Sequence, residues 1–226
     1  MTSAPAPESP LHRLPDYQAF APACRQLGVS LNREQFSLLV RYQAELTAEN
    51  EKINLISRKD TSRIFSYHII DSLAVSRFIP EARVCADIGT GAGLPGIPLA
   101  IIRPDLTVLL IESVQKKCRF LAQVTAGLEL KNIRLFCARA ESLPPLDCDV
   151  ILSRLTGELK LTLRHSVRHL KPGGIMILYK SAGWEAELKR NFRLLERLRL
   201  KLDRVETVRL PFTGIERQLV FLVRPA

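Results

Sequence analysis

The order of apolar segments after residue 83 constrains the fold most, because short strand-like runs alternate there with helical ones. The strand-like runs are 83–88, 107–111, 133–137, 149–153, 175–179, about 204–210 and 218–223. The helical stretches lie near 95–103, 114–128, 158–170 and 184–195. Nearly continuous apolar strands separated by helices predict an α/β fold with a mostly parallel, seven-stranded sheet covered on both faces. The last two strands are joined by "PFTGIE" and can form a hairpin.

The segment before residue 81 is predicted to be helical. Helical patterns run from Asp16 to Leu27, from Asn32 to about Glu49, and from about residue 62 to 78. Asn32 followed three residues later by Gln35 is a capping-box pattern. We therefore expect a helical cap over 16–80 and a sheet domain over 81–226. The preceding residues, 1–15, are rich in proline, alanine and serine and are expected to form a disordered lead.

A glycine-rich turn follows the first predicted strand, in "CADIGTGAGLPGIPLAIIRP" at residues 85–104. Gly89, Gly91 and Gly93 let a ligand approach the backbone closely, and this end of a doubly wound sheet is where ligands bind. "GAGLPG" also fits the dinucleotide pattern G-x-G-x-x-G, but its first glycine lies two residues beyond the strand-ending "DIG". An acidic residue, Asp87, ahead of alternating glycines is more typical of S-adenosylmethionine sites, where the carboxylate can face the methionine ammonium.

Three further strand ends carry candidate site residues. Glu112 ends the second strand and can accept hydrogen bonds from the ribose hydroxyls of an adenosine. Ala140 and Glu141 follow the third strand, where they can meet the adenine edge, although Glu141 can equally cap a short helix. Arg154 ends the fourth strand at the mouth of the same crevice, and a surface salt bridge is its alternative role.

The positive charge of the chain is concentrated after residue 153. The net charge is +10, and residues 154–226 hold sixteen basic and seven acidic side chains. The densest run is "KRNFRLLERLRLKLDR" at 189–204, which contains Arg193, Arg197 and Arg199. Such a patch favours binding to a polyanion such as RNA, and the alternative is a solvated basic helix face.

The five cysteines lie far apart and form no C-x-x-C pair. This spacing argues against zinc and disulfides and favours buried, reduced thiols in a cytoplasmic protein without a metal. No segment approaches about 18 uninterrupted apolar residues, so we expect no membrane span. His165 and His169 fall on a basic helical pattern and are expected at the surface.

The stretch "DIGTGAGLPGIPLAIIRP" closely resembles the signature of the bacterial 16S rRNA guanine-N7 methyltransferases, the RsmG/GidB family. The segments "NEKINLISRKD", "HIIDSL", "ESVQKKCRFL", "ARAESLP", "LSRLTG" and "KPGG" support the resemblance in the same order along the chain. The resemblance extends from about residue 30 to the C-terminus. "GLPGIPLA" is its most specific part, because methyltransferases in general do not continue their glycine turn in this way.

The resemblance implies a class I S-adenosylmethionine-dependent methyltransferase fold, Rossmann-like, that methylates N7 of a guanine in 16S rRNA. Gly89, Leu94, Ala140-Glu141 and Arg154 match the cofactor positions of the family. The partner would be 16S rRNA or an assembly intermediate of the small subunit, and we expect a monomer.

"HIIDSL" places His68 and Asp71 three residues apart, so we expect both near the site, where with Arg154 they are candidates for positioning the guanine. Lys180 ends the fifth strand and is a candidate phosphate contact.

The chain departs from the family pattern at Glu112, where Asp is usual, at Leu155 and at Gln218, and none of these positions lies in the glycine turn. Two other functions remain open. A nicotinamide-dependent oxidoreductase would need a glycine motif in register with the strand. A methyltransferase-like RNA-binding protein without activity would not need both carboxylates.

Overall fold

The sheet contains seven strands within residues 16–81, 83–154 and 158–226, which are the residues that the computed structural model describes. The strands are β1 Val84–Ile88, β2 Thr107–Glu112, β3 Ile133–Cys137, β4 Cys148–Ser153, β5 Leu170–Lys180, β6 Lys201–Arg209 and β7 Glu216–Val223. Their order is β3-β2-β1-β4-β5-β7-β6. The five strands β1–β5 are parallel, and β7 is antiparallel to both β5 and β6. The prediction of a mostly parallel sheet with a final hairpin is therefore confirmed.

The strand order reverses between β1 and β4, which are hydrogen-bonded neighbours. Crossover connections from these two strands leave in opposite directions, so a crevice opens at their carboxyl ends. β5 begins at Leu170, five residues before the predicted start, because Leu170 already pairs with Cys148 ahead of a register shift.

Helices cover the sheet and form the N-terminal cap. They are α1 Tyr17–Gln26, α2 Arg33–Asn50, α3 Ile70–Leu73, α4 Gly96–Ile102, α5 Gln115–Gly127, α6 Leu159–Ser166, α7 Trp184–Arg190 and α8 Phe192–Arg197. The predicted capping box begins α2: Gln35 N donates to Asn32 Oδ1 over 2.8 Å, and Asn32 N donates to Gln35 Oε1 over 3.1 Å. The Gln35 amide also donates to the carbonyls of Ile101 and Ile102, so the start of α2 is attached to the end of α4.

The predicted third cap helix, 62–78, is wrong as one regular helix. The chain forms a 3₁₀ segment over Arg58–Arg63 and a π-helical segment over Ile64–Ile69 before α3, and a further 3₁₀ turn over Ser76–Phe78 follows. Ser72 Oγ donates to the His68 carbonyl over 2.7 Å, and the Arg154 guanidinium approaches the same carbonyl. Side chains that compete for helix carbonyls locally distort the ladder of backbone hydrogen bonds.

The cap and the sheet share one hydrophobic core. A single cluster of buried side chains joins Phe20 and Tyr42 of the cap with Leu99 of α4, Leu121 of α5 and Phe221 of β7. The division of the chain at residue 80 into a cap and a sheet domain stays a prediction. The expected disordered lead, 1–15, lies outside the described residues.

Cys118 and Cys137 form a disulfide, so the prediction that disulfides are absent is wrong. β2 and β3 are parallel neighbours that place Glu112 opposite Cys137, and α5 begins three residues after Glu112. This arrangement brings the two Cα atoms to 5.8 Å, a usual separation for a disulfide, although the two cysteines are 19 positions apart in the sequence. Cys24, Cys85 and Cys148 are buried free thiols, as predicted, and burial raises the pKa of Cys24 and of Cys148 to about 12.

Candidate functional site

The glycine turn has the left-handed backbone that its sequence predicts. Gly89, Gly91 and Gly93 have φ values of 70°, 60° and 92°. A Cβ atom built on Gly93 would collide with Ile97 at the start of α4. A Cβ atom on Gly91 would meet no neighbour closer than the Gly89 carbonyl oxygen, at 3.9 Å. The backbone at Gly91 is therefore open on one side, which is the property expected of a turn that a ligand approaches.

Asp87 holds this turn from within. Its side chain is buried, and Oδ2 accepts hydrogen bonds from Thr90 Oγ1 over 2.6 Å and from Gly96 N over 2.8 Å. Burial raises the pKa of Asp87 to about 6, although these two hydrogen bonds and the nearby Arg154 act to lower it. One oxygen of Asp87 is thus engaged inside the turn, and a contact from this carboxylate to a methionine ammonium stays a prediction.

Glu112, at the end of β2, supports the other side of the turn. Its Oε2 accepts a hydrogen bond from Gly91 N over 3.0 Å, and Oε1 accepts from Ser113 N and Val114 N, both over 2.8 Å. Tyr42 of α2 reaches the turn from the cap and donates to the Ala92 carbonyl over 2.8 Å. A carboxylate offers about four acceptor positions, so Glu112 can still accept a hydrogen bond from a ligand hydroxyl.

A cavity of about 300 Å³ opens beside the turn, at the carboxyl ends of β1, β2 and β3. Four predicted cofactor residues line it: Gly89, Glu112, Ala140 and Glu141. The sequence analysis missed other lining residues, which come from the loops after β2 and β3 and from the N-terminal side and body of α6. They are Ser113, Ala138, Arg139, Glu158, Leu161, Thr162, His165 and Ser166.

The segment after β3, which lines one side of the cavity, is held by a buried histidine. Ala140 and Glu141 begin a short 3₁₀ turn, and the Ala140 carbonyl accepts a hydrogen bond from His169 Nε2 over 2.9 Å. The prediction that His165 and His169 lie at the surface is wrong for His169, which is fully buried, and burial lowers its pKa. His165 is partly exposed and lies 3.5 Å from Glu141 at the cavity.

A buried charge cluster, made of Asp71, Arg154 and Arg217, lies where the cap meets the ends of β4 and β7. Arg217 contacts the Asp71 carboxylate through Nε–Oδ1 at 2.7 Å and Nη2–Oδ2 at 3.1 Å. Arg154 contacts the same carboxylate through Nη2–Oδ2 at 3.1 Å. Burial raises the pKa of both Asp87 and Tyr42, and the nearby charge of Arg154 offsets part of this rise. The Arg154–Asp71 salt bridge is thus buried and not at the surface, and the roles of both residues at the site stay predictions.

His68 orients Arg154 from the opposite side. Its Nδ1 lies 3.2 Å from Arg154 Nη2, and because a guanidinium can only donate, Nδ1 is the acceptor. The proton of the neutral ring is therefore on Nε2, which lies 3.6 Å from an oxygen of Asp60. Burial and the charge of Arg154 lower the pKa of His68 to about 4, so this ring is neutral at physiological pH.

Arg217 is the member of the cluster that the sequence analysis missed. It lies in "ERQLV", next to Gln218, which accepts a hydrogen bond from Thr207 on the neighbouring strand. A signal was present, because a half-buried arginine stands two residues before the buried apolar run of β7. Only the fold, however, brings residue 217 to residue 71.

Lys180 and the basic run lie apart from the cavity. Lys180 Nζ is paired with Glu187 of α7 over 2.8 Å. Arg193 and Arg197 lie on α8, and Arg199 follows in the loop before β6. The described part of the chain contains no group of three or more His, Cys, Asp or Glu side chains placed to hold a metal ion. No described helix is both long and apolar enough to cross a membrane.

A groove of about 1490 Å³ runs along α7 and α8, and the sequence analysis missed it. Its apolar part includes Trp184 and Phe192, and the Phe192 side chain is 58% exposed. Arg193 and Arg199 lie among the basic residues that line it. This α7–α8 groove therefore combines exposed aromatic surface with positive charge.

Comparison with known families gives one match across most of the chain. Residues 35–220 match the family described as rRNA small subunit methyltransferase G (GidB). The ribosomal RNA small subunit methyltransferase G of Sorangium cellulosum is 38% identical over 216 residues, which cover 92% of this chain and 89% of that protein. The enzyme of the same name from Carboxydothermus hydrogenoformans is 38% identical over 201 residues, with 86% of each chain covered.

Solved structures of methyltransferases share the fold. A SAM-dependent methyltransferase from Aquifex aeolicus superposes with a TM-score of 0.56 at 20% identity, covering 78% of this chain and 97% of that one. TYW2 of M. jannaschii, solved in complex with AdoMet, gives a TM-score of 0.56 at 18% identity, with 70% of this chain and 76% of that one covered. The predicted class I S-adenosylmethionine-dependent methyltransferase fold is thereby confirmed.

The raised pKa of Asp87 predicts how stability depends on pH without a ligand. Between about pH 4 and 6 the unfolded chain loses the Asp87 proton while the folded protein keeps it, so this group destabilises the fold as pH rises. Asp87→Asn keeps an oxygen that accepts from Thr90 and Gly96 and cannot ionise. Its free energy of unfolding, relative to that of the wild type, should increase by about 1.4 kcal/mol from pH 5 to 7.5, measured by urea denaturation.

Asp149→Asn is the control for this experiment. Burial acts to raise the pKa of Asp149, but hydrogen bonds from Val84 N and Lys171 outweigh it and the pKa is lowered. Asp149 is therefore ionised in both states throughout this pH range, and the difference between Asp149→Asn and wild type should not change with pH. A difference for Asp87→Asn that is flat or falls with pH would contradict a buried, protonatable Asp87.

Proposed function

The chain belongs to the rRNA small subunit methyltransferase G family, and from this premise we propose that it transfers a methyl group from S-adenosylmethionine to N7 of one guanine in 16S rRNA. The observation that carries the proposal is the family match over residues 35–220, which includes the open glycine turn and every wall of the cavity. The substrate would be 16S rRNA, either free or in an assembly intermediate of the small subunit. Such a substrate implies a role in the bacterial cytoplasm.

The residues around the cavity suit an adenosine-containing cofactor with a charged amino-acid end. Glu112 would accept a hydrogen bond from a ribose hydroxyl, and Ala140 and Glu141 would lie along the adenine. The methionine end would lie along Gly89, Gly91 and Gly93, next to Leu94, where Asp87 supplies negative charge below the turn. Two features support this assignment: the open side of Gly91 and the fourth acceptor position of Glu112.

For methyl transfer to guanine N7, the protein mainly has to align the two reactants. When bound, S-adenosylmethionine supplies a methyl group on a sulfonium, which is a good leaving group. Guanine N7 has a free lone pair and no proton to remove, so neither a general base nor a cysteine nucleophile is needed. The described free cysteines are buried with raised pKa values, and His68, which lies next to Arg154, is neutral and already hydrogen-bonded to it. Positioning of the two reactants would therefore supply most of the rate enhancement.

Arg154 would position the guanine, with His68 and Asp71 holding the guanidinium in place. A guanidinium cannot accept a proton at neutral pH, so its contribution is to stack on the base or to donate to its O6 edge. The target guanine must leave its stack within folded RNA to reach the crevice, and a fixed planar cation would help to hold it there. The contacts of Arg154 with Asp71, Ser72 and His68 support this role because they fix its plane in advance.

The α7–α8 groove and its basic residues would bind RNA away from the target guanine. Arg193, Arg197 and Arg199 would contact phosphates, and Lys180 would do so at the rim of the crevice if its pair with Glu187 opens. The exposed ring of Phe192, beside the partly buried Trp184, suits stacking with unpaired bases. The excess of nine positive charges after residue 153 supports this assignment.

Gly91→Val should abolish cofactor binding. The valine side chain would project into the open side of the turn, where the cofactor is proposed to contact the backbone. Isothermal titration calorimetry would then detect no binding of S-adenosylmethionine or of its demethylated product. Gly173→Val is the matched control, because Gly173 also has a left-handed φ, 78°, and open space around it, but lies near the start of β5, whereas the glycine turn follows the end of β1. Equal loss in both variants, or preferential binding of NAD to the wild type, would contradict the proposed cofactor site.

Affinity for a 16S rRNA fragment should fall steeply with salt concentration, because phosphate contacts release counterions. Replacing Arg193, Arg197 and Arg199 by alanine should weaken RNA binding and flatten the salt dependence, with unchanged cofactor affinity. Lys131 and Arg134 are exposed at the opposite edge of the sheet, and their double alanine variant serves as the control.

Phe192→Ala should weaken RNA binding about tenfold without changing the salt dependence, because base stacking involves no counterions. Unchanged RNA affinity in the arginine and phenylalanine variants would return this region to the alternative of a solvated basic surface. Fluorescence anisotropy with a labelled RNA fragment measures both quantities.

Arg154→Ala should reduce the single-turnover methylation rate by at least about tenfold, equivalent to roughly 1.4 kcal/mol, because the guanine is no longer held in place. Arg154→Lys should restore little if the planar guanidinium matters and much if charge alone matters. Circular dichroism checks that the variants are folded. Full activity of Arg154→Ala would remove Arg154 from the site.

A further inference from the structure

The Asp71 carboxylate is shared unequally between two arginines. Its side chain has 0% exposure, and the Arg154 and Arg217 side chains have 15% and 12%. Arg217 donates hydrogen bonds to both oxygens side-on, through Nε and Nη2, whereas the contact of Arg154 is from Nη2 to Oδ2. A carboxylate without access to water requires such partners, because a buried unpaired charge is strongly unfavourable.

The single contact to Asp71 leaves the rest of the Arg154 guanidinium free for other partners. Its Nη1 donates to Ser72 Oγ over 3.0 Å, and its Nη2 also faces His68 Nδ1 at 3.2 Å. The ring of Tyr179 lies 5.9 Å from its Cζ atom, and the Tyr179 hydroxyl donates to the Ser72 carbonyl. These contacts fix the plane of the Arg154 guanidinium only as long as the guanidinium does not rotate to bind both oxygens of Asp71.

Without the side-on hydrogen bonds from the Arg217 guanidinium, Oδ1 of Asp71 would be a buried acceptor without a partner. Arg154 is the other guanidinium at this carboxylate, and by rotating to bind both oxygens it would leave Ser72 and His68. Arg217 also donates to the Lys180 carbonyl over 3.4 Å at the end of β5, so its own position is fixed from a second element.

We propose that Arg217 is a positioning residue for methyl transfer: by occupying the side-on edge of Asp71, it keeps Arg154 in the orientation that receives the guanine. This inference rests on the proposed function, because the role of Arg154 belongs to it. Arg217 touches neither substrate nor cofactor and acts through Arg154.

A double-mutant cycle tests this dependence. Arg217→Lys keeps the charge but cannot hold both oxygens of Asp71 in the same geometry. The single-turnover methylation rate of Arg217→Lys should fall at least about tenfold, with S-adenosylmethionine affinity within about twofold of wild type. The variant Arg154→Ala/Arg217→Lys should be no slower than Arg154→Ala alone, because Arg217 then has nothing to orient.

Arg224→Lys is the control, since Arg224 is a partly buried arginine that follows β7 and donates to the carbonyls of Val167 and Leu170. Arg224→Lys should change the single-turnover methylation rate only slightly. In the double variant with Arg154→Ala, the two fold-changes in rate should multiply. Thermal unfolding of each variant separates loss of folded protein from loss of rate, and Arg217→Gln, which keeps one amide donor, replaces Arg217→Lys if that variant does not fold.

Rate losses of Arg217→Lys and Arg154→Ala that multiply would overturn the inference, and so would a normal rate per folded molecule of Arg217→Lys. Either result would leave the proposed function intact, because the wild type still methylates 16S rRNA. A wild type that binds S-adenosylmethionine but methylates no guanine N7 in 16S rRNA would contradict the proposed function and the inference with it.

Discussion

A carboxylate that is shut off from water has to be surrounded by donors, and Asp71 is such a group in the middle of this molecule. Its partners come from the end of β4 and from β7, so its burial attaches the cap to two separate parts of the sheet. The need for donors around this carboxylate also explains the irregular helix that contains it. Arg154 and Ser72 reach the His68 carbonyl, and a regular helix over this segment would have used that carbonyl itself.

The glycine turn is built on the same principle, with buried acidic groups satisfied by nearby donors. Asp87 accepts hydrogen bonds from Thr90 and Gly96, while Glu112 accepts them from the backbone of the turn and of the loop after β2. Hydrogen bonds within the chain therefore hold the turn in its shape. Such internal support lowers the cost of ordering the turn when a ligand binds, so more of the binding free energy remains for holding the two reactants in line.

The sequence was sufficient for the features that depend on neighbouring residues. The strands follow from continuous apolar runs, and the capping box and the turn follow from a few adjacent residues, so these predictions are confirmed. Three of the misses depend on distant contacts: Arg217 on Asp71, His169 on the Ala140 carbonyl, and Cys118 on Cys137. Hydrophobic periodicity contains no information on which polar groups will face each other across 29 or 146 residues.

The chain order of the buried charge cluster has a consequence for biosynthesis. Asp71 is translated early and Arg154 later, but Arg217 lies in β7, after all the residues that line the cavity. A chain that ends before β7 would contain every residue of the glycine turn and of the cavity and still lack Arg217, which binds both oxygens of Asp71. The protein would then become catalytically competent only after β7 has been translated. Truncated products would therefore be inactive and not partly active.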